Sequence, residues 1–168
     1  MRIGVTGHQR LPASASWQWV YYEMDQLIGV VQAPLVGISS LAVGADQLFA
    51  NIILQHGGEL EAIIPFPRYE STFVTDHDRE EFKRLLMRCT RSEILEQHGT
   101  IEQAYFAAGK RVIDLSDFVV AVWDGRPARG FGGTADAVKY ASQEGKRIVH
   151  LNPLTKTRRE IAASEFQT

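Results

Sequence analysis

The chain is 168 residues long, with 18 Lys and Arg against 20 Asp and Glu and a formal charge of −2, the size of one ordinary domain. A hydrophobic share of 45% and a charged share of 23% exclude an intrinsically disordered chain. Charge so near zero counts against nucleic acid or an anionic membrane as the main partner and leaves room for a local basic patch.

The single cysteine, Cys89, excludes an internal disulfide and a cysteine-based metal site, so a reducing, cytoplasmic setting is expected. The first residues, MRIGVTGHQR, lack a signal-peptide core. No run reaches the ~18 apolar residues of a membrane span.

In chain order, Arg2–Thr6 (RIGVT) reads as a buried strand. Trp17, Val20, Tyr21, Met24, Leu27, Ile28 and Val31 then recur at spacings of three and four. They predict a helix with Trp17 and Tyr21 inward and Trp19 and Tyr22 exposed. Leu35–Ser39 (LVGIS) is the second strand, and Leu41, Ala45, Leu48, Phe49, Ile52 and Ile53 mark a helix stopped by Gly57–Gly58. Leu60–Pro65 is the third strand.

From Phe66 to Ser116 about fifty residues follow, more than a plain crossover needs. Asp76–Arg91 reads there as a charged helix with Phe82, Leu85 and Leu86 inward, and Ile101–Val112 as another. The segment is either a decorated crossover or a cap beside a ligand crevice. Asp117–Trp123 is the fourth strand. Ala135, Val138 and Ala141 line a last helix closed by Gly145, and Arg147–Leu151 is the fifth strand.

Continuous apolar strands alternating with helices give an α/β class: a Rossmann-like, doubly wound, mainly parallel sheet of about five or more strands flanked by helices. Residues 1–154 read as a single domain with a helical insertion near 66–116. Residues 155–168 read as a polar tail that frays or meets a second subunit.

In such a sheet ligands bind beyond the carboxyl ends of the strands. After the first strand, Gly7 allows close approach of an anion to the backbone, with His8 alongside, and Arg10 can pair with phosphate. After the second, Ser39 and Ser40 lead through Gly44 to Asp46 at a helix start, where hydroxyls cap the helix or bind an anion. After the third, Arg68, Tyr69 and Glu70 gather a cation, an aromatic ring and a carboxylate.

After the fourth come Trp123, Asp124 and Gly125, then Gly130, Gly132, Gly133 and Thr134 directly before the final helix. Glycines there let a backbone wrap a phosphate without Cβ clash. Trp123 either stacks on a base or packs under a helix. The dinucleotide-binding G-x-G-x-x-G, the P-loop and the G-x-S-x-G elbow are all missing. The histidines at 8, 56, 77, 98 and 150 lack metal spacing, and His77 with Asp76 and Asp78 reads as a helix-start charge cluster. Neither a metal nor a cofactor is expected.

The segments VTGHQRL (5–11), SSLAVGAD (39–46) and SDFVVAVWDGRPARGFGGTADAV (116–138) together resemble the SLOG superfamily. This Rossmann-like group includes LOG-type nucleotide phosphoribohydrolases, DNA-processing DprA proteins and ligand-sensing domains of bacterial defence systems. The resemblance implies a nucleotide or nucleotide-derived ligand with its phosphate or ribose at the Gly-Gly-Thr turn. It also implies a homo-oligomer.

The chain departs from the LOG pattern P-G-G-x-G-T-x-x-E, placing Ala137 at the glutamate position and Phe131 at the second glycine. Asp136 falls one residue early, about 100° around the helix. Glycosidic cleavage requires a carboxylate near the developing oxocarbenium ion, and Glu70, Asp124 and Asp136 are the candidates. The leading expectation is a nucleotide-binding sensor or carrier module. The alternatives are an N-glycosidic hydrolase or ribosyltransferase, and a DprA-like DNA- or protein-binding module.

Overall fold

The computed structural model describes residues 1–127 and 131–161. Strands β1 (Arg2–Gly7), β2 (Val36–Ser39), β3 (Glu59–Ile64), β4 (Arg91–Ile94), β5 (Phe118–Val122), β6 (Arg147–Asn152) and β7 (Thr157–Ile161) form one seven-stranded sheet in the order β4-β3-β2-β1-β5-β6-β7. All neighbours pair in parallel except β6 and β7, which are antiparallel. The helices are α1 (Trp17–Gly29), α2 (Ala45–Gln55), α3 (Asp76–Leu86), α4 (Ile101–Asp114) and α5 (Thr134–Gln143), with a 3-10 turn at Tyr69–Thr72.

The strands are continuous apolar runs because both faces are covered. Ile3, Val5, Val120 and Val122 pack with Val20, Met24 and Ile28 of α1 and Phe49, Ile52 and Ile53 of α2. The alternate residues Val119 and Ala121 face Val138 and Ala141 of α5, and Ile38 and Ile63 face Ala108 and Val112 of α4. Each such buried aliphatic or aromatic side chain contributes about 1.5–3 kcal/mol through removal from water. Leu60, Ala62 and Ile64 of β3 join Phe82 and Leu85 of α3 in a further cluster that includes Phe66, Tyr69 and Phe73.

Three expectations are corrected here. The helix expected over Asp76–Arg91 ends at Leu86, and Arg91–Ile94 is the parallel edge strand β4. Exposed Arg91 and Ser92 give that strand no apolar pattern. The polar stretch expected as a tail supplies β7 at the opposite edge, where the exposed side chains of Thr157–Glu160 face water while Ile161 packs on the core. Trp19 is half-buried against the core, whereas Tyr21 is 37% exposed and its hydroxyl donates to Gln55 Oε1. Tyr22 is exposed, as its helical position predicts.

The chain winds outward from β1 to β4, returns through α4 to place β5 beside β1, and winds outward again. The carboxyl ends of β1 and β5 are therefore the topological switch point, with Gly7 paired to Val122.

Among the described residues no helix is long and apolar enough to cross a membrane, and no group of three His, Cys, Asp or Glu is placed to hold a metal ion.

Candidate functional site

A cleft of about 660 Å³ opens at this switch point, within the ~300–1,000 Å³ range of small-molecule sites. Its walls come from the loops after β1, β2 and β5, from the start of α5, and from α4.

The loop after β1 is fixed by backbone. His8 N–H donates to Val122 O at 3.0 Å, and Ala45 N–H donates to His8 O at 3.2 Å. A Cβ on Gly7 would lie 2.6 Å from Ala45 Cβ and 2.8 Å from Val122 Cβ, so glycine is required there by the packing of α2 and β5. Gly44, at φ +89°, brings its backbone against the carbonyls of His8 and Gln9, where a Cβ would come within 2.6 and 2.4 Å.

Ser39 and Ser40 do not cap α2. That helix starts at Gly44 without a side-chain cap. Ser39, fully buried, donates its hydroxyl to Asp46 Oδ2 at 2.9 Å and accepts Leu41 N–H, while Ser40 N–H donates to the same carboxylate oxygen at 3.0 Å. Asp46 is 7% exposed on the cleft floor. Burial pushes its carboxyl up to about 6 against the opposing hydrogen bonds of Ser39 and Ser40.

On the β5 side, Asp124 N–H donates to His8 Nε2 at 3.2 Å, and its carboxylate lies 3.3 Å from the same nitrogen. Burial works to raise the Asp124 carboxyl, but the Arg126 amide and His8 prevail and hold it below the usual carboxylate range. Trp123 is 8% exposed and packs in the core with Ala137 and Val138 of α5, and its indole N–H donates to Arg126 O at 2.8 Å. The packing alternative for Trp123 is the observed one, although its edge lines the cleft. Gly125 adopts φ +81° in the turn that follows.

Helix α5 begins at Gly133, again with no side-chain cap, whereas Ser16, Thr75 and Thr100 cap α1, α3 and α4. Gly132, Gly133 and Thr134 line the cleft. Asp136 does not line it, because its carboxylate accepts Gly132 N–H at 2.8 Å and holds the loop. Gly130 lies outside the described residues.

Of the sequence-derived candidates, the structure brings Gly7, His8, Arg10, Ser40, Asp46, Trp123, Asp124, Gly132, Gly133 and Thr134 to one cleft. Ser39, Gly44 and Gly125 lie behind or beside it as supports. Arg68 and Glu70 are not on its wall. Tyr69 between them is, buried in an edge-to-face aromatic group with Phe66, Phe73, Phe82 and Tyr105.

Sequence reasoning missed Tyr105, Phe106 and Gly109 of α4, which close the cleft from the side of α5. The signal was adjacent aromatics followed one turn later by a glycine, within the segment read as a crossover or cap.

No protein-family model matches the chain, and no curated protein matches it in sequence. Solved structures do share its architecture, a Rossmann-like fold found in DprA proteins. DNA processing protein A (DprA) of Streptococcus pneumoniae superposes with a TM-score of 0.65 at 18% identity, over 89% of this chain and 49% of that one. DprA of Helicobacter pylori, a structure described by its single-stranded DNA binding mode, gives 0.66 at 16% identity, over 98% of this chain and 70% of that one. The structural-genomics protein TM1055 gives 0.53 at 14%, over 88% and 71%. The chain thus spans about half the length of the S. pneumoniae protein. At these identities the shared property is the fold.

The expectation that set nucleic acid aside as a partner does not stand, since two of these structures are DNA-processing proteins, one described by its single-stranded DNA binding. Net charge does not exclude such a partner, because it averages over the whole surface, while screening at ~8–10 Å makes local charges the relevant ones.

Proposed function

We propose that the cleft binds one nucleotide unit of a single-stranded nucleic acid. The first turn of α5 and the Gly133–Thr134 backbone receive the phosphate, Gly132 N–H being held by Asp136, and the aromatic wall of α4 receives the base. The observation that carries this reading is the meeting, in one cleft, of an α5 start that no side chain caps, Arg10 and Arg126, and the rings of Tyr105 and Phe106. Helix N-termini favour anions through their amides and dipole, and bases stack on aromatic side chains without sequence preference. Both helices carry an aspartate in the first turn, but Asp46 lies on the cleft wall and Ala45 N–H is already donated to His8 O, whereas Asp136 is off the wall, turned to Gly132 N–H, so α2 is the poorer phosphate site. The likeness to the H. pylori protein supports a strand as the ligand.

The test is fluorescence anisotropy of labelled dT12 with the native chain and with Gly133→Val. Gly133 sits at φ −75°, ψ 177°, extended backbone that valine adopts, so the variant keeps the fold while its side chain fills the phosphate position. The native chain binds dT12 with duplex DNA a weak competitor, and the variant loses at least about tenfold in affinity. Equal affinity for both proteins removes the turn from the site.

A free nucleotide-derived ligand is the second reading, favoured by a cleft volume ordinary for small-molecule sites. A nucleotide panel that includes dTMP separates the two: a mononucleotide binding more tightly than dT12 selects the second.

A further inference from the structure

Beyond the cleft, across Phe106 and Phe131, lies a separate depression of about 470 Å³ whose other walls include His98, Gln103, Ala107 and Lys110. Phe106 and Phe131 line both spaces and so form the ridge between them. Their ring centroids are 5.2 Å apart at 75°, edge to face, and Phe131 remains 59% exposed.

That exposure is imposed by the backbone. Gly132, at φ +81°, is pressed against α4 so closely that a Cβ would lie 2.7 Å from Glu102 O and 3.2 Å from Phe106 Cβ. Phe131 is thereby held at the crest of the ridge. Lys110 Nζ stands 5.3 Å from the Phe106 centroid and 5.6 Å from that of Tyr140, and among the described residues it pairs with no carboxylate. A cation and an exposed ring on the walls of one depression, next to a cleft read as a nucleotide site, make the combination that tracks a single strand: the ring stacks a base and the cation meets the backbone.

We propose that the cleft continues over this ridge into a second subsite for the adjoining nucleotide of the same strand. Its base stacks on Phe131 and its phosphate is met by Lys110. The proposal rests on the reading of the cleft as a nucleotide site and adds the direction in which the strand runs, from α5 across α4.

The experiment is calorimetric titration of the full chain with dTMP, with the 5′-phosphorylated thymidine dinucleotide and with dT12, for the native protein, Lys110→Gln and Ala107→Glu. Both substituted residues lie on the wall of the second depression and off the wall of the first. The dinucleotide binds the native chain roughly tenfold more tightly than dTMP, and each variant removes most of that gain while leaving dTMP affinity unchanged. Lys110→Gln also lowers the slope of log affinity against log salt for dT12 by about 0.7, the loss of one phosphate contact. Binding of dTMP with no gain for the dinucleotide, or a gain that survives both variants, overturns the second subsite and leaves the first intact. A native chain that binds neither dTMP nor dT12 overturns both.

Discussion

Asp46→Asn separates the charge of the carboxyl on the cleft floor from its hydrogen bonds. One oxygen, Oδ2, accepts both the Ser39 hydroxyl and the Ser40 amide, and the carbonyl of asparagine can accept both, while the Ala42 amide, which also favours the carboxylate, loses its acceptor at every pH. What the substitution removes is the ionisation of a group whose carboxyl is pushed from its ordinary 3.8 to about 6, chiefly by burial. That difference corresponds to about 3 kcal/mol once the group is ionised.

The sign follows from linkage. Below pH ~3.8 the folded and unfolded chains both keep the proton, and Asp46 costs nothing. Between pH ~4 and ~6 the unfolded chain releases it first, so stability falls as pH rises, and above pH ~6 the full penalty stands. The Asp46→Asn protein therefore gains on the native chain by about 2.5 kcal/mol between pH 4 and pH 7.5, a relative rise in melting temperature of roughly 5 to 10 °C for a chain of this size. Thermal melts of both proteins across that range, followed by circular dichroism, measure it. Any constant cost of the new amide cancels in the comparison between pH values. A gap that is the same at pH 4 and pH 7.5 would refute the claim that burial strains this carboxyl.

Gly7→Ala forces a methyl group against Ala45 Cβ and Val122 Cβ, 2.6 and 2.8 Å away, and lowers stability by about 1–3 kcal/mol through overpacking; a urea titration reads the loss, and a neutral result would mean that α2 moves freely away from β1. Glu61 takes both terminal nitrogens of Arg2, at 3.1 and 2.7 Å, and this hydrogen bond is the main reason that its carboxyl sits below the usual range. Stability from that pair is present above pH ~4.5 and lost as pH falls through the lowered value, so Glu61→Gln flattens the acid limb of the stability profile measured by denaturant midpoints. Incubation with nucleoside monophosphates releases no free base by chromatography, because the position that holds glutamate in the LOG pattern holds Ala137, which brings no carboxylate to the cleft wall; base release that disappears in Asp124→Asn would assign hydrolysis to the carboxylate beside His8.

The central strands were legible because burial on both faces writes them as continuous apolar runs, as in Phe118–Val122. The edge strands escaped for the opposite reason. Arg91–Ile94 and Thr157–Ile161 carry charged, mostly exposed side chains, as edges do when they resist pairing with other chains, and such segments read as helix end or tail. At the cleft, glycines singled out loops that the structure brings together but left their work ambiguous. Gly7 and Gly44 serve contacts between loops and elements, and only the surrounding structure separates that use from room for a ligand. Tyr105 and Phe106 were hidden because their contribution depends on α4 lying beside α5, a relation between segments about thirty residues apart that no local pattern contains.

The near-zero charge is the plainest case of a global property concealing a local one. Glu61 is paired with Arg2, Glu81 with Arg84, Glu93 with Arg111 and Glu160 with Arg147, and all eight residues lie off the wall of the cleft. These pairs cancel in the sum and contribute little field beyond their neighbourhood, since screening confines exposed charges to ~8–10 Å. Among the described residues Arg10 on the cleft wall and Lys110 beyond the ridge form no ion pair, so their charge is available to a phosphate. Unpaired positive charge therefore lies on both sides of the ridge although the chain as a whole carries −2, and the ionised Asp46 on the cleft floor opposes it above pH ~6.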